Sequence, residues 1–145
     1  MRRILIVDDS KVMGLTTKKS LEEISPEYSI LYVDSGEKCL DLLKYNPFDL
    51  ILLDIEMPGM TGWHVLKKLR EDKKLKSIPV AFLTGREDDF SRALGKLVGN
   101  AYIEKGISIH ELKEKIEYIF KNPAKIDESK EKLIENVIQK AIDQI

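Results

Sequence analysis

The sequence predicts an α/β protein built on a doubly wound parallel sheet of five strands with helices on both faces. Two observations carry that expectation. Short β-branched and aliphatic runs recur between longer segments of helical period, and most of those runs are apolar throughout instead of alternating with polar residues. A strand covered by helices on both faces has no solvent side, so it reads as one apolar stretch. Parallel neighbours also need crossover helices, which is the strand and helix alternation found here.

Taken in order, the strand runs are residues 4–7, 30–33, 50–53, 80–83 and 101–103. Between and after them, apolar side chains fall at helical spacing. They are Met13, Thr17, Leu21 and Ile24; then Cys39, Leu42 and Leu43; then Leu66 and Leu69; then Phe90, Leu94 and Leu97; then Ile109, Leu112, Ile116 and Ile119. Ser35 and Thr61 stand where they can cap the second and third helices, and Ser108 with Glu111 has the spacing of a capping box at the fifth. The pair Asn122-Pro123 breaks that helix. Beyond it Ile126, Leu133, Ile134, Val137, Ile138, Ala141, Ile142 and Ile145 describe one stripe, with Glu128, Lys132, Glu135, Gln139 and Asp143 opposite. This is a sixth, amphipathic helix. The expected division is a domain over residues 1–122 and a C-terminal helical extension over 123–145. The extension has two uses: cover for the domain, or a helix for homodimerisation or partner binding.

A chain of 145 residues suits one core of ordinary size. Its 24 basic and 25 acidic residues nearly cancel, so the balance asks for neither nucleic acid nor an anionic membrane as partner. The apolar runs are far short of the roughly 20 residues that span a bilayer. Met1-Arg2-Arg3 leads directly into a strand with no signal-peptide pattern, which places the expected location in the cytoplasm. The single cysteine, Cys39, sits among Leu40, Leu42 and Leu43 and reads as an inert helix packing residue. His64, beside Trp63, has no second ligand at metal spacing and reads as a solvated helix residue; Met57 and Met60 read as packing, and Lys67 to Lys76 as a solvated basic and acidic face.

In an open parallel sheet the ligand site lies beyond the carboxyl ends of the strands. There the sequence places Asp8 and Asp9, Asp54, Thr84 and Lys105, after the first, third, fourth and fifth strands. Three carboxylates brought together repel one another unless a cation sits among them. Mg²⁺ takes oxygen ligands, often only one or two carboxylates, which suits Asp9 and Asp54 directly and Asp8 through water. Asp54 can then act as a carboxylate nucleophile toward a phosphoryl donor. The metal, the Lys105 ammonium and the Thr84 hydroxyl would share the charge of the phosphoryl oxygens.

The runs Ile4-Leu5-Ile6-Val7-Asp8-Asp9-Ser10, Leu52-Leu53-Asp54-Ile55-Glu56-Met57-Pro58-Gly59-Met60-Thr61-Gly62, Leu83-Thr84-Gly85 and Tyr102-Ile103-Glu104-Lys105 resemble the response-regulator receiver domain, in order and over about the first 120 residues. The resemblance implies a flavodoxin-like (βα)5 fold and a place in two-component signalling. It implies that Asp54 is the phosphoacceptor, with Asp8 and Asp9 as the acidic pair. Glu56 would add its backbone carbonyl to the metal, and Thr84 and Lys105 would contact the phosphoryl group. Thr84 and Tyr102 would form the switch that changes a protein-binding surface, and the donor would be a histidine kinase or histidine phosphotransfer protein. The output would be an unknown downstream protein, with no direct DNA binding and no enzymatic turnover beyond the chain's own phosphorylation and slow dephosphorylation. One departure is Lys105-Gly106, where the family usually has lysine followed by proline; Gly99-Asn100-Ala101 is another. A phosphohydrolase acting on outside substrates, and a phosphorylation-independent interaction module built on the same fold, are the alternatives. The first lacks a second acid two residues past Asp54 with a threonine beyond it, since Glu56 is followed by Met57 and Pro58.

Overall fold

The computed structural model describes residues 1–85, 92–93, 101–123 and 131–144. The strands are β1 (Arg2–Val7), β2 (Tyr28–Val33), β3 (Leu50–Leu53), β4 (Val80–Thr84) and β5 (Ala101–Glu104). The helices are α1 (Lys11–Ile24), α2 (Gly36–Leu43), α3 (Gly62–Glu71), α4 (Ile109–Lys121) and α5 (Glu131–Asp143). Of the expected helix carrying Phe90, Leu94 and Leu97, only the helical residues Arg92 and Ala93 are described; those three apolar positions lie outside the described residues, as do Gly99, Asn100, Ile126, Glu128 and Ile145.

All four strand pairings are parallel and the order is β2-β1-β3-β4-β5, so the doubly wound sheet is as expected. Alternation along each strand sends Leu5, Val7, Ile51, Leu53, Val80 and Phe82 to one face, where α2, α3 and α5 cover them. Ile4, Ile6, Leu50, Leu52, Ala81, Leu83 and Ile103 go to the other, beneath α1 and α4. Both faces are buried, which is why these strands carry no polar alternation. Strand β2 begins earlier than the sequence pattern indicates. Tyr28 is buried there, its ring edge-on to Phe120, with its hydroxyl bonded to Glu117 and its pKa raised by burial and then by that carboxylate.

Ser35 and Thr61 cap α2 and α3 as their positions predict. At α4 the structure gives half of the expected box: Ser108 Oγ accepts from the Glu111 N–H at 3.1 Å. The full capping box stands instead at α3, where the reciprocal partner is His64. Its Nδ1 accepts from the Thr61 N–H at 3.3 Å and lies 2.8 Å from Thr61 Oγ1. His64 is therefore half-buried and tied to a helix start, not free in solvent. Cys39 is fully buried, as a helix packing residue should be, and burial pushes its thiol up to about 12, away from the reactive thiolate form.

The inward face of α1 is turned from the expected one. Met13 is 39% exposed, and Gly14 faces inward because the Tyr32 ring lies where a β-carbon would stand, 2.1 Å from its nearest ring atom. The last helix, α5, lies along α3 and sends Ile138 and Ala141 into the core. Lys67 Nζ donates to Gln139 Oε1 at 2.7 Å, and Lys76 pairs with Glu131 at 3.1 Å. The basic stretch after α3 is thus partly engaged by α5, and the Arg70 guanidinium donates to the carbonyls of Lys76 and Ile78. Leu133 departs from the expected stripe at 58% exposed. The α-helical repeat places residues 134, 137, 138 and 141 together and rotates 133 off that face.

Candidate functional site

Register decides which residues meet. Val7 pairs with Leu53, and Thr84 pairs with Glu104. One residue past the first pair come Asp8 and Asp54, and the Asp54 N–H donates to the Val7 carbonyl at 2.9 Å. One residue past the second pair, the Lys105 N–H donates to the Thr84 carbonyl at 2.9 Å. Four strand ends thereby deliver two acids, a hydroxyl and an ammonium to one place.

Lys105 Nζ lies 2.9 Å from Asp8 Oδ2 and 3.1 Å from Asp54 Oδ2. Asp8 and Asp54 are both buried, whereas Asp9 is exposed. Burial pushes the Asp54 carboxyl above its ordinary range; Lys105 pulls it back, Asp8 pushes it up again, and a hydrogen bond from Thr84 lowers it. Burial alone would lower the Lys105 pKa, but the bonds and charges of Asp8 and Asp54 outweigh it and leave it above the usual lysine value. Asp8, Asp9 and Asp54 each offer a carboxylate oxygen, and these oxygens lie within 4.8 Å of one another. An all-oxygen donor set with one solvent-facing member fits a hard divalent ion such as Mg²⁺. The Glu56 side chain points to solvent and is not part of that set, which leaves only its backbone for the role expected of it. Tyr102 is half-buried one strand away, its ring 6.3 Å from that of Phe82.

Several supporting residues escaped the sequence reading. Ser10 caps α1, its Oγ accepting from the Met13 N–H at 3.3 Å, while its own N–H donates to Asp8 Oδ1 at 2.9 Å. Tyr32 donates its hydroxyl to the Asp8 carbonyl at 2.7 Å while its ring covers Gly14. The visible signal was Gly14 itself, an isolated glycine inside a helical pattern, which points to a close neighbour. Gly62 plays the same part at α3: its N–H donates to the Ile55 carbonyl at 2.9 Å, and a β-carbon would sit 2.4 Å from the Asp54 carbonyl oxygen. Gly62→Ala should therefore destabilise the protein by about 1–3 kcal/mol, because backbone and not a flexible side chain must yield. Urea unfolding checks this, and an unchanged midpoint would mean that α3 is not pressed against the Asp54 backbone.

A family model described as the response regulator receiver domain matches residues 4–117. The chemotaxis protein CheY of Pseudomonas aeruginosa is 37% identical over 120 residues, covering 81% of this chain and 95% of that protein. A probable cyclic di-GMP phosphodiesterase of Vibrio cholerae is also 37% identical, over 114 residues, but the match covers 78% of this chain and only 25% of that larger protein. Among solved structures, the chemotaxis protein CheY4 of Vibrio cholerae superposes with a TM-score of 0.75 at 25% identity, covering 82% of this chain and 98% of that one. A CheY-like receiver domain protein from Methanospirillum hungatei gives a TM-score of 0.75 at 27% identity, covering 85% and 96%. No helix among the described residues is long and apolar enough to cross a membrane.

Proposed function

Because this chain belongs to the response regulator receiver domain family of two-component signalling, we propose that it is a phosphorylation switch whose acceptor is Asp54. The observation that carries the reading is the Lys105 ammonium held between Asp8 and Asp54 at four converging strand ends, with Thr84 bonded to the same carboxylate. Mg²⁺ held by Asp8, Asp9, Asp54 and the Glu56 backbone carbonyl would supply positive charge beside an incoming phosphoryl group.

The chain's own groups do the rest. An Asp54 carboxylate oxygen forms the new bond to phosphorus as the donor's phosphorus–nitrogen bond breaks; the bonding pair returns to the histidine nitrogen, which takes a proton. Lys105 and Thr84 stabilise charge on the phosphoryl oxygens. Once formed, the phosphoryl group draws the Thr84 hydroxyl toward it, and Tyr102 moves into the space beside it, which alters the surface that a downstream protein recognises. The donor class is a histidine kinase or a histidine phosphotransfer protein, and the place of action is the cytoplasm. The chain turns over no soluble substrate and contacts no DNA. We place the switch in residues 1–122 and treat 123–145 as an appended helix; any homodimer through that helix would use its Leu133 side, because Ile138 and Ala141 are buried against the domain.

Incubation with Mg²⁺ and acetyl phosphate, followed by intact mass, should give one phosphoryl adduct that Asp54→Ala or removal of metal abolishes. An adduct that survives Asp54→Ala would move the acceptor elsewhere. No adduct under any condition would favour the phosphorylation-independent module, for which partner binding would be indifferent to Asp54→Ala.

A further inference from the structure

We propose that Gly106 is the positioning residue that aims Lys105 at Asp8 and Asp54, through a left-handed backbone that neither proline nor a β-carbon residue adopts without strain. The proposal rests on the role given to Lys105 above. The β5 ladder ends where the Lys105 N–H donates to the Thr84 carbonyl at 2.9 Å. Gly106 follows with φ 97, and α4 is already capped at Ser108. Three residues, Lys105 to Ile107, therefore turn the chain from strand to helix, and the Lys105 side chain leaves from that turn to reach both carboxylates.

Both ends of the turn are fixed. On one side stands the strand ladder; on the other, Leu112 and Ile116 of α4 are buried in the core. A changed φ at position 106 cannot be taken up by either element, so it falls on the neighbouring torsions, including those that direct Lys105. Space is not the reason for glycine, since a β-carbon at Gly106 would meet nothing within 4 Å. The sign of φ is. Positive φ crowds a β-carbon against its own backbone, while the proline ring holds φ near about −65°, on the other side of the map. Restoring the proline usual after this lysine should therefore harm this chain, not improve it.

The test is a pair of mutant cycles crossing Gly106→Ala, Gly106→Asn and Gly106→Pro with Lys105→Met. One arm follows the rate of the acetyl phosphate adduct with Mg²⁺, the other the thermal unfolding of the same proteins in metal-free buffer. Gly106→Ala should slow the reaction roughly tenfold. Gly106→Asn, the residue best suited to positive φ after glycine, should lose less, and Gly106→Pro at least as much as alanine. In the Lys105→Met background Gly106→Ala should leave the rate unchanged and lower the melting temperature less than it does in wild type. Equal losses in both backgrounds, or a wild-type rate for Gly106→Pro, would overturn the proposal. Were wild type to take no phosphoryl group, the proposed function would fall, and the melting cycle alone would decide the role of Gly106.

Discussion

Lys105→Met should lower the unfolding free energy of the metal-free protein by about 3 kcal/mol, within the range for removing one partner from a buried ionic cluster. The methionine keeps most of the aliphatic stem, so the loss is electrostatic. Without the ammonium, Asp8 and Asp54, both buried, face each other with Asp9 close by and, among the described residues, no other cation paired with either of them. The low end of the range applies because Asp9 is exposed and water reaches the cluster from that side. Mg²⁺ should return much of the loss, since an ion that binds the folded cluster and not the unfolded chain stabilises by mass action. Urea unfolding with and without Mg²⁺ reads both effects, and a midpoint unmoved by Lys105→Met in metal-free buffer would mean that the acids are not mutually close in solution.

The pH dependence has a definite sign. The Asp54 pKa in the folded protein is raised, first by burial and further by Asp8, with Lys105 and Thr84 opposing. A carboxyl raised on folding binds more protons folded than unfolded. Its contribution to stability is therefore complete below the ordinary carboxylate value and is lost as pH rises through the folded value. Removing Lys105 takes away an opposing influence and extends that interval upward. The deficit of Lys105→Met should accordingly be largest near neutral pH and shrink as pH falls through the interval.

The site was legible in the sequence because its residues sit next to the strongest periodic signals in the chain. Asp8, Asp54 and Thr84 each end or follow an apolar run that is buried on both faces, and parallel register carries them to one edge. The supports were less legible because they act across elements. Nothing adjacent to Tyr32 reveals that its hydroxyl will hold the Asp8 carbonyl, or that its ring will displace the inward face of α1 from Met13 to Gly14. His64 resembled a solvent residue because capping by imidazole lacks the Glu or Gln that marks the common box. Leu133 was assigned to the buried stripe because composition alone does not fix the rotation of a helix; its partner does, and here the partner is α3. Gly106 stood out as a departure, but the sign of its φ is a property of the folded turn.

Ile138→Ala should cost about 3 kcal/mol, while Leu133→Ala should stay within about 0.5 kcal/mol, although the two residues belong to the same helix. Ile138 is fully buried in the cluster that holds Trp63, Leu66 and Phe82, so shortening it leaves a void among side chains that cannot collapse freely. Leu133 is 58% exposed and gives up little. The contrast separates a docked helix from an extension that leaves the domain in solution, since an undocked α5 would show equal, small effects at both positions. Docking has a further consequence for the boundary after residue 122. Lys67 with Gln139, and Lys76 with Glu131, fasten α5 to α3 and to the segment after it, and α3 begins where Gly62 presses on the Asp54 backbone. If Ile138→Ala also shifts the unfolding of the Asp54 region in amide hydrogen exchange, α5 belongs to the cooperative unit that holds the phosphoacceptor. If only α5 loses protection, it unfolds separately, and the 123–145 extension is an independent element resting on α3.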